Sequence, residues 1–418
     1  MARSNITRRV FMKNSALAVV GTSVIPTFLT RAAFADLTAS GKKRMVVLFQ
    51  RGAADGLNIV VPHGDPIYYQ LRPTINIPQN AVIDLDGYFG LHPSMAPFKA
   101  LWDTKQLAIV HAAGSPDNTR SHFDAQDYME SGTPGVKSTE DGWLNRAMRG
   151  APKHDDKDSP FRAVALGTTL PRTLAGAYPA VALSNINDFG VGGRGPMSSG
   201  LSNSFESMYA QSVDTVLHGT GKETFDAVKM LKAADPAKYT PVRGADYPRG
   251  RFGDSLKQVA QLLKADLGVE VAFADIGGWD HHVNEGNTQG QIANLTREFA
   301  QSIAAFWTDI GELGNDTILV SMSEFGRTAR ENGTRGTDHG HANVMFVLGG
   351  PVKGGKVYGR WPGLDSRHLY EGRDLEVTTD FRQVLGESLT DHMGNHQLET
   401  VFPGFASDKK RSLGFVRT

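Results

Sequence analysis

The chain contains no cysteine among its 418 residues. Disulfides and thiolate metal sites are therefore excluded, and any metal must sit on histidine, aspartate or glutamate. Charge of one sign is also missing, because 44 Lys and Arg balance 44 Asp and Glu. Nucleic acid is not an expected partner, since that would call for a basic face. No apolar run is long enough to cross a bilayer, so no stable membrane anchor is expected. What remains is an ordinary globular balance, 40% hydrophobic and 21% charged, with ample length for a large core.

The N-terminus is different in kind. Thr7-Arg8-Arg9-Val10-Phe11-Met12-Lys13 precedes a modestly apolar run, Ala16 to Leu29, and a small-x-small cleavage site at Ala33-Phe34-Ala35. That order is the signature of a twin-arginine signal peptide over residues 1–35. Ser15, Gly21, Ser23 and Pro26 make the run too polar for an anchor. The segment holds five basic residues and no acid, so the remainder has 44 − 5 = 39 basic against 44 acidic residues. The expectation is a protein carried by the twin-arginine export machinery, periplasmic or secreted, with residues 36–418 forming a single domain.

The stretch from Thr317 to Gly350 concentrates the chemistry. Two short β-branched runs, Ile318–Met322 and Val344–Leu348, read as buried strands. Between them lie Glu324, Arg327, Asp338, His339 and His341. Asp-His-Gly-His offers oxygen and nitrogen ligands to a divalent metal; the alternative is a solvated polar hairpin with incidental histidines. Met45–Phe49 is a first strand running into a small-residue loop with Asp55, either a ligand at a strand's carboxyl end or a turn residue before Gly56. Leu107–Val110 is a second strand. Ser121 follows as the N-cap of a helix, where a hydroxyl also sits at the positive end of the helix dipole.

Further on, Ala163–Leu166 and Val181–Leu183 read as strands, 187–200 as a loop, 202–235 as two short helices and 236–251 as a linker. Phe252, Leu256, Val259 and Leu263 share one helix face, Val269–Ala274 is a strand, and Ile292 to Ile310 is a long amphipathic helix. Glu376–Thr378 is a late strand before a helix, Phe381–Leu389, capped by Asp380. The alternation predicts an α/β fold, a doubly wound, mostly parallel sheet with helices on both faces, with Asp280, His282 and Glu324 at one edge.

Five motifs together resemble a bacterial family, domain of unknown function 1501: Arg51-Gly52-Ala53-Ala54-Asp55-Gly56-Leu57, Arg120-Ser121-His122-Phe123, Gly277-Gly278-Trp279-Asp280-His281-His282, Ser323-Glu324-Phe325-Gly326-Arg327-Thr328 and Thr337-Asp338-His339-Gly340-His341. That family looks like a distant branch of the alkaline phosphatase and sulfatase superfamily. The resemblance implies an alkaline-phosphatase-like fold and one or two divalent ions, zinc, manganese or calcium. It implies metal ligands at Asp55, Asp280, His282, Glu324 and His339, with Asp338 and His341 as further ligand candidates, and convergence of the distant ones at neighbouring strand ends. Ser121 matches the hydroxyl nucleophile, with Thr119 or a metal-bound water as substitutes. Arg51, Arg120 and Arg327 would hold the oxygens of a small anionic ester, unless each is a loop salt bridge. Glu324 departs from the pattern, since it stands where Asp-His is usual, and His281 is the weaker ligand candidate. Two functions follow: an exported metal-dependent hydrolase of a phosphate or sulfate ester, or a non-catalytic binding or accessory protein on a retained hydrolase scaffold.

Overall fold

The first strand, β1 (Arg44–Gln50), is buried along its whole length, as a strand must be when it has parallel neighbours on both sides and helices above and below. The computed structural model describes residues 42–150, 159–186, 230–231, 238–406 and 412–417. The signal segment, the loop at 187–200 and most of the 202–235 helices expected from the sequence lie outside them.

Among the described residues, twelve strands follow in chain order: β1, β2 (Val60–Val61), β3 (Ile83–Asp84), β4 (Gly90–Leu91), β5 (Leu107–Gly114), β6 (Ala163–Leu166), β7 (Val181–Leu183), β8 (Val271–Ile276), β9 (Thr317–Ser323), β10 (Asn343–Gly349), β11 (Lys356–Tyr358) and β12 (Thr379–Asp380). The main sheet runs β11-β5-β10-β9-β1-β8-β6-β7, with β12 also beside β5, and β2, β4 and β3 form a small second sheet. All pairs of the main sheet are parallel except those of β10, which is antiparallel to both β5 and β9. The sheet is thus mostly parallel, as the sequence order predicts. The stretch around residues 324–342 is both a hairpin connection, between β9 and β10, and a polar loop at the carboxyl edge.

Alternation along β1 divides the core. Val46 and Leu48 face one side, with the helices α1 (Ala96–Asp103), α4 (Arg251–Lys264) and α5 (Gln291–Ile310). Met45, Val47 and Phe49 face the other, with α3 (Trp143–Gly150) and α6 (Phe381–Glu387). Another helix, α2 (His122–Ser131), begins at the carboxyl edge of the sheet. The predicted faces hold: Phe252, Leu256, Val259 and Leu263 on α4, and Ile292, Phe299, Ile303, Phe306 and Ile310 on α5, are buried in one cluster.

Several boundaries differ from those expected. Strand β5 continues past Val110 to Gly114 because the chain bulges: Asn343 faces Ala113 while Met345 faces Val110, so β5 carries an extra residue there. Ala112 takes a positive φ of 53°, and its N–H is held by His111 Nδ1 at 2.9 Å. Strand β8 starts and ends two residues later than expected. The late strand pairs at Thr379–Asp380 instead of Glu376–Thr378, and α6 stops at Glu387, where a wider helical turn, Ser388–His392, takes over.

Three buried histidines away from the carboxyl-edge loop, His92, His111 and His392, are each pushed down to about 4 by burial. The folded state holds them neutral, whereas the unfolded chain protonates them near 6.5. Their contribution to stability is complete above that value and is lost as pH falls through about 4. Urea unfolding between pH 7 and 4 should show stability falling steadily over this window, and His111→Gln should make the fall shallower.

Candidate metal centre

The loop after β8 is set by Trp279. Its side chain is fully buried and donates from Nε1 to the Ile276 carbonyl at 3.2 Å. Successive residues then alternate: Trp279 and His281 turn inward, and Asp280 and His282 turn out to the carboxyl edge of the sheet. His281 is buried, with its pKa pushed down to about 4 by burial, and stands apart from the outward-facing pair. The loop after β1 packs directly on this one through Gly52. A Cβ there would lie 2.8 Å from Asp280 N, and φ is +113°, so only glycine fits.

Four donor-bearing side chains meet at this edge. His122 Nε2 and His282 Nε2 each lie 3.0 Å from His339 Nε2. Asp280 Oδ1 is 2.9 Å from His282 Nε2 and 3.3 Å from His339 Nε2, and its Oδ2 is 3.4 Å from His122 Nε2. The ligand atoms of His122, Asp280 and His339 all lie within 4.8 Å of one another. Phe325 backs the cluster, its ring 4.9 Å from that of His122 and 5.0 Å from that of His339.

The other ring nitrogens define the protonation. His339 Nδ1 is 2.7 Å from the Arg120 carbonyl, His122 Nδ1 is 2.8 Å from Glu324 Oε1, and His282 Nδ1 is 3.2 Å from Asp338 Oδ1. Carbonyl and carboxylate oxygens only accept, so each Nδ1 carries the hydrogen and each neutral imidazole turns a lone pair from Nε2 toward its neighbours. Lone pairs 3.0 Å apart repel unless a proton or cation lies among them. Separations of 2.9–3.4 Å are near the roughly 3.3 Å between atoms that share one ion at bonds of about 2.0–2.1 Å, with His122, Asp280 and His339 the mutually close set and His282 beside Asp280 and His339. Asp280, Glu324 and Asp338 against Arg327 leave a local charge of −3 + 1 = −2 on the neutral imidazoles. The donor set therefore fits one divalent ion.

The sequence-predicted residues sort into several roles. Asp280, His282 and His339 come together. Glu324 and Asp338 stand behind imidazoles, on the Nδ1 side, where they fix ring orientation. Glu324 is buried, and burial alone would raise its pKa, but hydrogen bonds from His122, Gln126 and the Gly52 N–H hold it below the ordinary range. Hydrogen bonding to Glu324 raises the pKa of His122. His341 turns away, its ring 4.5 Å from that of Tyr370.

The arginines are engaged with protein groups. Arg327 is buried and donates to Asp280 Oδ1 at 2.6 Å and to the carbonyls of Ala53, Trp279 and Thr337. Arg51 is paired with Asp275 and Glu130, and Arg120 with Asp374 and Glu371. Ser121 acts as the N-cap of α2, its Oγ accepting from Asp124 N at 3.5 Å. The sequence reading passed over His122, although it sits in Arg120-Ser121-His122-Phe123. No local spacing marks that imidazole as a ligand, whereas a hydroxyl at a helix start is a recognisable pattern.

Asp55 is at the expected edge, yet its carboxylate belongs to Arg72. Arg72 is fully buried and contacts both Asp55 oxygens, Asn58 Oδ1 at 2.8 Å and the carbonyls of Ala329 and Thr328. Beside them is Glu285, also fully buried. Burial, and then the Asp55 charge, push its carboxyl well above the usual range, so it keeps a proton and donates to Asp55. Burial would also raise Asp55, but Arg72 holds it low. Removing one side, as in Arg72→Met, should cost about 3–5 kcal/mol because a buried charge is left alone; chemical denaturation should show the loss, and adding Asp55→Asn should recover part of it. The stability that Glu285 contributes is full below its ordinary 4.5 and is lost as pH rises through its raised value. Glu285→Gln should therefore lessen the decline of stability toward alkaline pH.

Residues 42–401 match the family model of a protein of unknown function, DUF1501. No curated protein matches the chain significantly. Among solved structures, the chain is similar to the C-terminal periplasmic domain of EcEptC from Escherichia coli in complex with Zn, at TM-score 0.34 and 9% identity over 75% of this chain and 74% of that one. It is also similar to the PsFucS1 sulfatase from Pseudoalteromonas sp., at 0.36 and 11% over 79% and 66%. The phosphonate monoester hydrolase of Agrobacterium radiobacter aligns at 0.34 and 10% over 87% and 78%. With the family model spanning most of its length, this chain belongs to the DUF1501 family.

Proposed function

We propose that the protein is an exported hydrolase of a phosphate or sulfate ester that binds one divalent ion through His122, His282, His339 and Asp280. The observation that carries this reading is the meeting of three Nε2 atoms whose Nδ1 hydrogens are all held by acceptor-only oxygens. Three imidazoles and one carboxylate suit zinc better than calcium, which prefers six to eight oxygens. A single ion is supported by the pairing of Asp55 with Arg72, which leaves that carboxylate committed to a guanidinium. The twin-arginine segment supports export.

A divalent ion at such a site polarises an ester oxygen and lowers the pKa of a bound hydroxyl. The chain's own groups prepare the site. Glu324 and Asp338 hold two imidazoles in one tautomer, and Arg327 orients Asp280 while balancing part of its charge. His282 and Asp280 are about two-fifths exposed, so a substrate reaches the cluster from solvent. The accessory reading is favoured by a specific feature, the engagement of Arg51, Arg120 and Arg327 with carboxylates in place of an anion.

Metal analysis and calorimetry on residues 36–418 should find one zinc per chain. Alanine at His122, His282, His339 or Asp280 should abolish tight binding, and Glu324→Gln should weaken it about 10–100-fold. Binding should also weaken as pH falls through the raised pKa of His122, because protons compete for the same nitrogen. A panel of phosphate and sulfate esters separates the two functions. Zinc-dependent turnover lost in His282→Ala supports the hydrolase and removes the accessory reading, tight zinc binding without turnover supports the accessory protein, and a failure to bind any divalent ion removes the hydrolase.

A further inference from the structure

Asp374 is fully buried and belongs to none of the motifs singled out in the sequence. Its Oδ2 accepts from Arg120 Nε at 3.2 Å and Nη2 at 2.6 Å, and its Oδ1 accepts from Arg373 Nε at 2.8 Å. Both arginines lead to the same imidazole. The Arg120 carbonyl takes the Nδ1 hydrogen of His339 at 2.7 Å, and Arg373 Nη2 donates to the carbonyl of His339 itself. Arg120 also lies two residues before His122, at the entry to α2.

We infer that Asp374 is a positioning residue for the cluster, a single buried carboxylate that braces His339 from its ring and from its backbone at once. The inference rests on the metal reading of that cluster. Two guanidiniums brought to one place repel, and a carboxylate, with four lone-pair sites and a negative charge, can hold both. An amide has one acceptor oxygen and would turn its NH2 toward one of the arginines. The backbone adds to the brace: Ala329 N donates to the Arg373 carbonyl at 3.1 Å, tying this segment to the polar loop between β9 and β10.

The test compares the full chain from residue 36 with Asp374→Asn, Arg373→Gln and a control, Arg367→Gln, whose exposed side chain pairs with Asp365 elsewhere. Two readouts are taken: the zinc dissociation constant by chelator competition, and the Nδ1–H resonance of His339 in the metal-free protein, assigned with His339→Ala. Asp374→Asn should bind zinc about 10–100-fold more weakly, as expected when the partners that orient a ligand are removed. The His339 resonance should shift or vanish while that of His122 stays. Arg373→Gln should lose affinity in the same direction but less, and the control should match the parent. If Asp374→Asn does not fold, Arg373→Gln decides, since its side chain is partly exposed and its loss leaves the fold intact. Parent-like affinity and an unmoved resonance in both variants overturn the inference. If the parent itself binds no zinc, the metal reading fails, and the resonance alone decides whether Asp374 orients His339.

Discussion

Three imidazoles turn unshared electron pairs toward one place, and the structure around them is arranged to keep them there. Each ring would be content to rotate or flip if its Nδ1 were free. None is: a backbone carbonyl, a buried glutamate and an aspartate each take one Nδ1 hydrogen. The resulting repulsion among the Nε2 atoms is a standing requirement for positive charge, and it is built from groups supplied by three separate loops.

Those loops meet because parallel strands end at a common edge. β1, β8, β9 and β5 run the same way, and β10 returns against them, so the ends of four strands and the start of a fifth come within reach. Close approach then depends on small residues. Gly52 lets the loop after β1 lie on the Asp280 backbone and gives its N–H to Glu324 at 2.7 Å. Gly340, where a Cβ would stand 2.3 Å from the Arg327 carbonyl carbon, lets the His339 loop fold back on the end of β9.

Charge is handled by pairing inside the protein. Arg327 neutralises one cluster carboxylate, Arg72 neutralises Asp55, and Asp374 gathers Arg120 and Arg373. Buried or half-buried guanidiniums with several acceptors each are rigid props. In this protein the arginines of the motifs hold loops in register around the histidines. The same logic accounts for Glu285, which escapes the cost of a second buried charge by keeping its proton.

The sequence alone determined the sheet order's broad character, most strand positions and the faces of α4 and α5, because apolar periodicity is local and the core simply follows it. It also determined that Asp280, His282 and Glu324 lie at one edge, since each follows a buried strand; His339 precedes a strand and joins them because β10 runs antiparallel to its neighbours. Which carboxylate met which partner was decided by tertiary structure. Asp55 and Glu324 look alike as acids after a strand, yet one receives a guanidinium from Arg72 and the other an imidazole from His122. Residues 17 positions apart in one case and 202 in the other make those pairs. Hydrogen-bond direction and burial depend on packing across the sheet edge, which no local pattern encodes. For the same reason His122 was legible only as a neighbour of Ser121, and Asp374 was not legible at all.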